Sequence, residues 1–254
     1  MGKIDLIIQG ACNAYTNEII KNYLNLEFVN KIIISCWEND SPCGGDRIII
    51  KQSQDLFNPG LGNRNRQIKT SFEGIKLSTT EFSVKLRSDQ NISLHSMRLM
   101  YDFYEKHKEQ EMCFSDGTKP KNKICVAGIF RPFPFHPRDH IFWGSTQDLI
   151  DVFNIPHDTV SLSTDYTKFM RTEAYICSQY YAKFDIDIAK FIIEPSKYLV
   201  DNAPNINEAL IKSEYWGNKI FKPFPKIDFA WPKHGLQNYH YDITASQFGE
   251  YRDN

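Results

Sequence analysis

Residues 81–87 (EFSVKLR) set Phe82, Val84 and Leu86 against Ser83, Lys85 and Arg87, and the run ends in Ser88 and Asp89. Successive side chains of a strand point to opposite faces, so the alternation predicts a strand with one apolar and one polar side. A guanidinium and a carboxylate at a strand end can grip an anion through the guanidinium fork, hold a divalent cation, or both. The same residues also suit a wet strand surface, with Arg87 in a surface ion pair and Asp89 in a turn before the next helix.

Other residues invite chemistry in the same way. Arg64 and Arg66 crowd the first turn of an amphipathic segment at 63–78, where Ile68, Phe72 and Ile75 recur at helical spacing. Their forks match phosphate oxygens. Glu173 opens the helical pattern at 171–184, where a carboxylate either complements the helix dipole or serves as a general base. His136, Asp139 and His140 lie in RPFPFHPRDH, whose three prolines predict a stiff irregular loop. Imidazole and carboxylate there are either metal ligands or ordinary loop polarity.

These groups need a scaffold. Residues 4–9 (IDLIIQ) read as a buried parallel strand turning at Gly10, Thr16 suits a helix cap, and 31–37 (KIIISCW) is a second buried strand ending in Glu38-Asn39-Asp40. Glycine and proline mark 38–62 as loop apart from a short strand at 48–50. Further helices are expected at 93–107, 145–153 (Ser145 capping) and 207–216, and a further strand at 124–130. Residues 119–123 form a basic connector, and the tail beyond Phe221 is rich in proline and aromatics. The alternation of strand and helix in the first half predicts an α/β fold: a mostly parallel central sheet with helices on both faces. In such sheets ligands bind beyond the carboxyl ends of the strands, which brings Gln9, Gly10, Glu38, Arg87 and Asp89 to one crevice.

Composition narrows the classes. The 254 residues carry 30 Lys+Arg against 31 Asp+Glu, a net charge of -1 that argues against a general nucleic-acid binder. The six cysteines show no CxxC pair or zinc-type histidine spacing, so they read as free thiols in a reducing cytosol. No apolar run reaches the roughly 18 residues of a membrane span, which predicts a soluble protein. GxGxxG after the first strand, GxxxxGK[ST] and GxSxG are all missing, against a nicotinamide enzyme, a P-loop ATPase and a serine hydrolase. Aromatics at 14% of the chain serve equally as core or as sugar-stacking platforms.

The order IDLIIQG, KIIISCWEND, NRNRQIKTSFEGI, VKLRSD, DHIFWGSTQDL, RTEAYI resembles the WavE-type family of lipopolysaccharide and capsule synthesis proteins, held to be GT-A glycosyltransferases. The similarity runs over about residues 4–220, and NRQI followed by KLRSD is its most specific part. The resemblance implies one GT-A-like domain over 1–254, with a nucleotide-binding half at 1–110 and an acceptor-binding half at 111–254. It implies a cytoplasmic bacterial enzyme moving a sugar from a nucleoside-diphosphate sugar to a surface glycan, with a lipid-linked acceptor at the inner membrane face as one setting. Gln9, Gly10, Glu38, Arg64, Arg66, Arg87 and Asp89 would hold the donor, and Asp139, His140, Phe142 and Trp143 would line the acceptor side. Glu173 would be the base of an inverting reaction, with Asp148 and Asp139 behind it, and Arg87, Asp89 through a metal, and Arg64 or Arg66 would stabilise the leaving group; a retaining reaction needs no base. The family pattern Asp-any-Asp is here Arg87-Ser88-Asp89, so Asp89 either binds a weakly held Mg²⁺ or Mn²⁺, or the diphosphate is bound without metal. Two other classes fit the same residues: a phosphotransferase or nucleotide-sugar hydrolase using Asp89, Asp139 and His140 on a metal, and a non-catalytic glycan-binding component.

Overall fold

The computed structural model describes residues 2–108, 122–129, 133–159, 170–193, 203–224, 227–230 and 238–241. The basic connector at 119–123 falls mostly outside them, as do Phe130 and much of the tail. The chain alternates from its start: β1 (Ile4–Gln9), α1 (Ala14–Tyr23), β2 (Val29–Trp37), β3 (Ile48–Ser53), α2 (Arg64–Ile75), β4 (Phe82–Arg87), β5 (Asn91–Ile92) and α3 (Leu94–His107). Then follow β6 (Ile124–Val126), β7 (Ile141–Ser145), α4 (Thr146–Phe153), α5 (Thr172–Tyr181), α6 (Ala189–Ile193), α7 (Ala203–Ile220), β8 (Phe221–Pro223), β9 (Ile227–Ala230) and β10 (Asn238–Tyr241).

Seven strands form the central sheet in the order β3-β2-β1-β4-β7-β6-β8. β1, β2, β3 and β4 are parallel; β7 runs against both β4 and β6, so it alone is reversed. The fold is therefore the expected α/β one, and β7, from the second half of the chain, is built into the same sheet as the first half. A separate, smaller sheet has the order β10-β9-β5.

The sheet separates two cores, as alternating side chains on doubly covered strands require. Ile4, Leu6 and Ile8 face α1 and α3, whereas Ile7 and Ile33 face α2, with α4, α5 and α7 extending that second core. Gly74 lets α2 pack directly on β1 and β2, since a Cβ placed there would meet Ile7 Cγ2 at 2.8 Å and Ser35 Cβ at 2.9 Å. The cap of α1 is Asn13 rather than Thr16; Thr16 is the reciprocal partner in a capping box, its hydroxyl accepting from the Asn13 N–H at 3.2 Å. Ser145 and Ser93 cap α4 and α3 as their positions suggest. Among the described residues no helix is long and apolar enough to cross a membrane.

Candidate functional site

Register brings the strand-end residues together. β1 and β4 are parallel neighbours with Gln9 opposite Arg87, so both chains leave the sheet at one point. The turns there are tied to each other: Ser88 N–H donates to Gln9 O at 2.9 Å, Ser88 Oγ–H to Ala11 O at 2.7 Å, and Thr16 Oγ1–H to Ser88 O at 3.0 Å. Gly10 makes this possible with φ of 110°, a conformation that favours glycine, and a Cβ would lie 2.9 Å from Ser88 Oγ.

A crevice of about 290 Å³ opens above this junction. Gln9, Gly10, Arg87, Ser88 and Asp89 form its floor. Asn63, just before α2, and Arg66, Gln67 and Thr70 on it form a wall, Cys12 and Trp37 line the crevice further, and the Arg66 guanidinium lies 6.0 Å from the centre of the Trp37 ring. The Thr70 hydroxyl donates to Gln9 Oε1 at 2.8 Å, fixing the floor to the α2 wall.

Beneath the floor lies a charge network. Arg87 grips Asp89 with two bonds, Nε to Oδ1 at 3.0 Å and Nη2 to Oδ2 at 2.9 Å, and reaches Asp139 Oδ2 with Nη1 at 3.3 Å. Burial works against the Arg87 charge, and Asp139 and Asp89 more than restore it. Asp139 is 1% exposed, yet Arg87 and Lys85 hold its carboxyl well below the usual range against the penalty of burial. Lys85, fully buried, donates to the Asp139 carbonyl at 2.7 Å, and burial lowers its pKa to about 8. The side of β4 that the alternation marked as polar is thus not wet; it carries an internal ion network between sheet and loop. Burial also lowers His140 to about 4, so its ring, touching the Gln90 amide, is neutral near pH 7.

The other expected site residues are distributed unevenly. Arg66 borders the crevice, with its guanidinium paired to Asp55 and bonded to Asn63 Oδ1 at 3.0 Å. Arg64 does not face it: the side chain is buried, pairs with Asp158 at 3.3 Å, donates to the Leu61 and Met170 carbonyls and sits over the Tyr175 ring. It locks the start of α2 to α5. Glu38 is exposed and absent from the lining; Asp40 is the inward acid of that turn, its Oδ2 accepting from Cys12 N–H at 3.0 Å and Trp37 N–H at 2.9 Å. Glu173 stands in the first turn of α5 with its Oε2 3.5 Å from His136 Nε2, outside the crevice lining but close enough for its charge to favour the cationic forms of Lys85 and Arg87.

Phe142 and Trp143 require a correction. Both are fully buried, because 141–145 is a strand paired on both sides rather than part of the proline-broken loop. Phe142 enters the core with Phe153 and Phe221, and Trp143 the opposite core with Tyr104 and Phe224. Neither is a stacking surface for a sugar.

Asp89 is engaged by a guanidinium rather than standing open to the crevice. Both of its oxygens are taken by Arg87, and among the described residues no group of three thiol, imidazole or carboxylate donors gathers there. His140 Nδ1 lies 3.8 Å from Asp139 Oδ1, but Asp89, Asp139 and His140 do not bring three ligand atoms within 4.8 Å of one another.

Trp37 and Thr70 line the crevice without having been singled out from sequence, and Gln67, part of the NRQI motif, lines it beside them. Gln67 and Thr70 lie three residues apart, a spacing that sets both on one helix face, but only the crevice shows that this face is polar for a reason.

Sheet and crevice together define an open-sheet α/β protein with a crevice bordered by Arg66, Arg87 and Asp89 at the carboxyl ends of its parallel strands. Residues 4–220 match the family described as WavE lipopolysaccharide synthesis, and the chain belongs to that family. It is also similar to the solved structure of S. aureus TarS 1-349, at 13% identity over 70% of this chain and 55% of that one, with a TM-score of 0.39. A second similar structure is HddC from Yersinia pseudotuberculosis, at 11% identity over 66% of this chain and 87% of that one, with a TM-score of 0.37. The chain thus spans little more than half of the TarS structure. No protein of curated function matches the sequence.

Proposed function

We propose that this chain is a GT-A-type glycosyltransferase that moves a sugar from a nucleoside-diphosphate donor onto a bacterial surface glycan, lipopolysaccharide or capsule. One observation carries the reading: Arg87 and Arg66 border a crevice at the carboxyl ends of β1 and β4, where a ligand's phosphates would meet two guanidinium charges. The nucleoside would lie toward Gln9, Gly10 and Trp37. Arg87, seated in its acidic cradle, would meet the negative charge that builds on the departing diphosphate as the anomeric centre becomes oxocarbenium-like. Charge compensation here is assigned to guanidinium, and no step runs through a metal at Asp89.

The acceptor hydroxyl, on a glycan or lipid-linked sugar presented at the inner membrane face, would approach from the 111–254 half. Glu173 is the assigned base for an inverting transfer, with His136 orienting it; Asp139 is unsuited, being buried and already committed to Arg87. The test is a thermal-shift and turnover screen of the full chain with uridine, cytidine, guanosine and thymidine diphosphate sugars, with and without added Mg²⁺ or Mn²⁺. A Tm rise with at least one donor that needs no added metal is the expected result. No shift with any donor in any condition would sink the reading.

A further inference from the structure

Beside the crevice lies a polar cluster that the proposed transfer does not use. Cys12 follows β1, Cys36 is the next-to-last residue of β2, and Asp40 closes the turn after it. One ligand atom from each lies within 4.8 Å of the other two. Cys36 is fully buried and Cys12 nearly so. Asp40 is held in place through Oδ2, which accepts the N–H groups of Cys12 and Trp37, so its other oxygen is not needed to hold the turn.

The Cys12 thiol donates to the Gly10 carbonyl at 3.8 Å, which holds its sulfur beside the turn that follows β1. Ionisable donors converging out of water are costly unless a charge compensates them. Two sulfurs and a carboxylate oxygen match a borderline-soft ion and not Mg²⁺ or Ca²⁺. We propose that Cys12, Cys36 and Asp40 form a site for a thiophilic divalent cation of the zinc kind, bound by two thiolates and one carboxylate oxygen, with a non-protein ligand completing the shell. On binding, two metal–sulfur bonds form, the two thiol protons leave to solvent, and no oxidation state changes. A tetrahedral ion with metal–sulfur bonds of about 2.3 Å sets its sulfurs about 3.8 Å apart, so small side-chain rotations close the cluster. The ion would join the Gly10–Asn13 turn, which lines the crevice, to the turn that follows Trp37 at the end of β2.

The test uses the full chain, reduced and stripped of metal, titrated with Co²⁺ as a spectroscopic probe. Thiolate-to-cobalt charge-transfer absorption should saturate at one equivalent, release protons, and vanish when Zn²⁺ is added. Cys12→Ser, in a loop and therefore tolerated by the fold, should lose that absorption and weaken binding by more than the about ten- to hundredfold typical of outer-shell changes. Asp40→Asn, which keeps the acceptor for the two N–H groups, should weaken binding and retain thiolate absorption. Cys177→Ser, in the opposite core, should change neither. Absence of absorption in the reduced wild type, its persistence in Cys12→Ser, or a Cys12–Cys36 disulfide by mass spectrometry that survives reduction would each overturn the proposal.

Discussion

Arg87 holds both carboxylate oxygens of Asp89, at 3.0 Å through Nε and 2.9 Å through Nη2, two residues apart at the end of one strand. A fork engaged in this way cannot swing away from the crevice, and its third nitrogen is anchored 3.3 Å from the buried Asp139. Asp89 thereby orients the guanidinium. Orientation fixed before the ligand arrives is what electrostatic catalysis needs, since nothing then has to reorganise as charge develops.

Arg87→Lys keeps the charge near Asp139 but loses the fork. Turnover should fall by about a hundredfold or more, the usual size for loss of a preorganised donor, with a small change in stability. Arg87→Met should also destabilise, by about 3 kcal/mol or more, because it removes one partner of a buried carboxylate. Adding Asp139→Asn should recover part of that loss. Steady-state kinetics and urea unfolding of the three variants check this, and equal stabilities for Arg87→Lys and Arg87→Met would contradict it.

Lys85 gives a stability signature on the basic side. Its folded pKa of about 8 lies below the unfolded value, because burial disfavours the ammonium. Between about 8 and the unfolded value of about 10.4 the unfolded chain keeps a proton that the folded chain has released, so this group makes stability rise with pH across that window. Below it the full cost of the buried charge is present. Lys85→Met should remove the rise, read as the difference between wild-type and variant urea midpoints on either side of the window. Parallel pH profiles for the two proteins would show that Lys85 does not titrate as described.

Asp5 gives the matching signature in acid. Burial pushes its carboxyl up, but the Thr79 N–H, the Asn30 amide, the Ser78 hydroxyl and Lys31 outweigh it and leave the folded pKa below the ordinary value. Its contribution is therefore fully present above the unfolded pKa of about 3.9 and is lost as pH falls through the lowered folded value. Asp5→Asn should cost stability at neutral pH and show a shallower decline in acid, measured by urea unfolding from neutral to acidic buffers. An unchanged acid slope would count against this assignment.

Much of the frame was legible because its signals are local. The Ile-rich runs at β1 and β2, the α2 periodicity and the Ser145 cap depend on neighbours within a turn or two, and strand order then sets Gln9 and Arg87 side by side. Arg64 and Arg66 show where local reading stops. Two residues apart in one helical turn, they point about 200° apart around the axis by helical geometry, so one borders the crevice and the other enters the core. Nothing in NRNR says which is which, because the choice is made by Asp158 and Tyr175, far along the chain. Lys85 was illegible for the same reason: an internal lysine reads as a wet one until Asp139 is folded over it.

Phe142 and Trp143 are core residues, so their variants should fail as core variants do. Phe142→Ala and Trp143→Ala should each cost about 3–5 kcal/mol of stability, through lost burial and the cavity left behind. At temperatures where the variants remain folded, the acceptor KM should stay near wild type. A selective rise in acceptor KM without loss of stability would return these rings to the binding surface.

Gly74 tests how closely the crevice depends on helix placement. By propensity alone, alanine in a helix interior should be better than glycine by about 1 kcal/mol. Here the added Cβ would stand 2.8 Å from Ile7 Cγ2 and 2.9 Å from Ser35 Cβ, contacts that side chains do not tolerate, and both neighbours are in the central sheet. Overpacking of this kind costs about 1–3 kcal/mol, so the steric term wins and Gly74→Ala should be less stable than wild type. The cheapest relief is for α2 to lift from β1 and β2, and α2 carries Arg66, Gln67 and Thr70 into the crevice wall. The variant should therefore lose donor affinity as well as stability, whereas Gly44→Ala, with no atom within 4 Å of its added Cβ, should lose neither. Urea unfolding and donor-induced Tm shifts on the two variants separate the outcomes, and a Gly74→Ala protein as stable as wild type would mean that the helix does not lie where the 2.8 Å contact puts it.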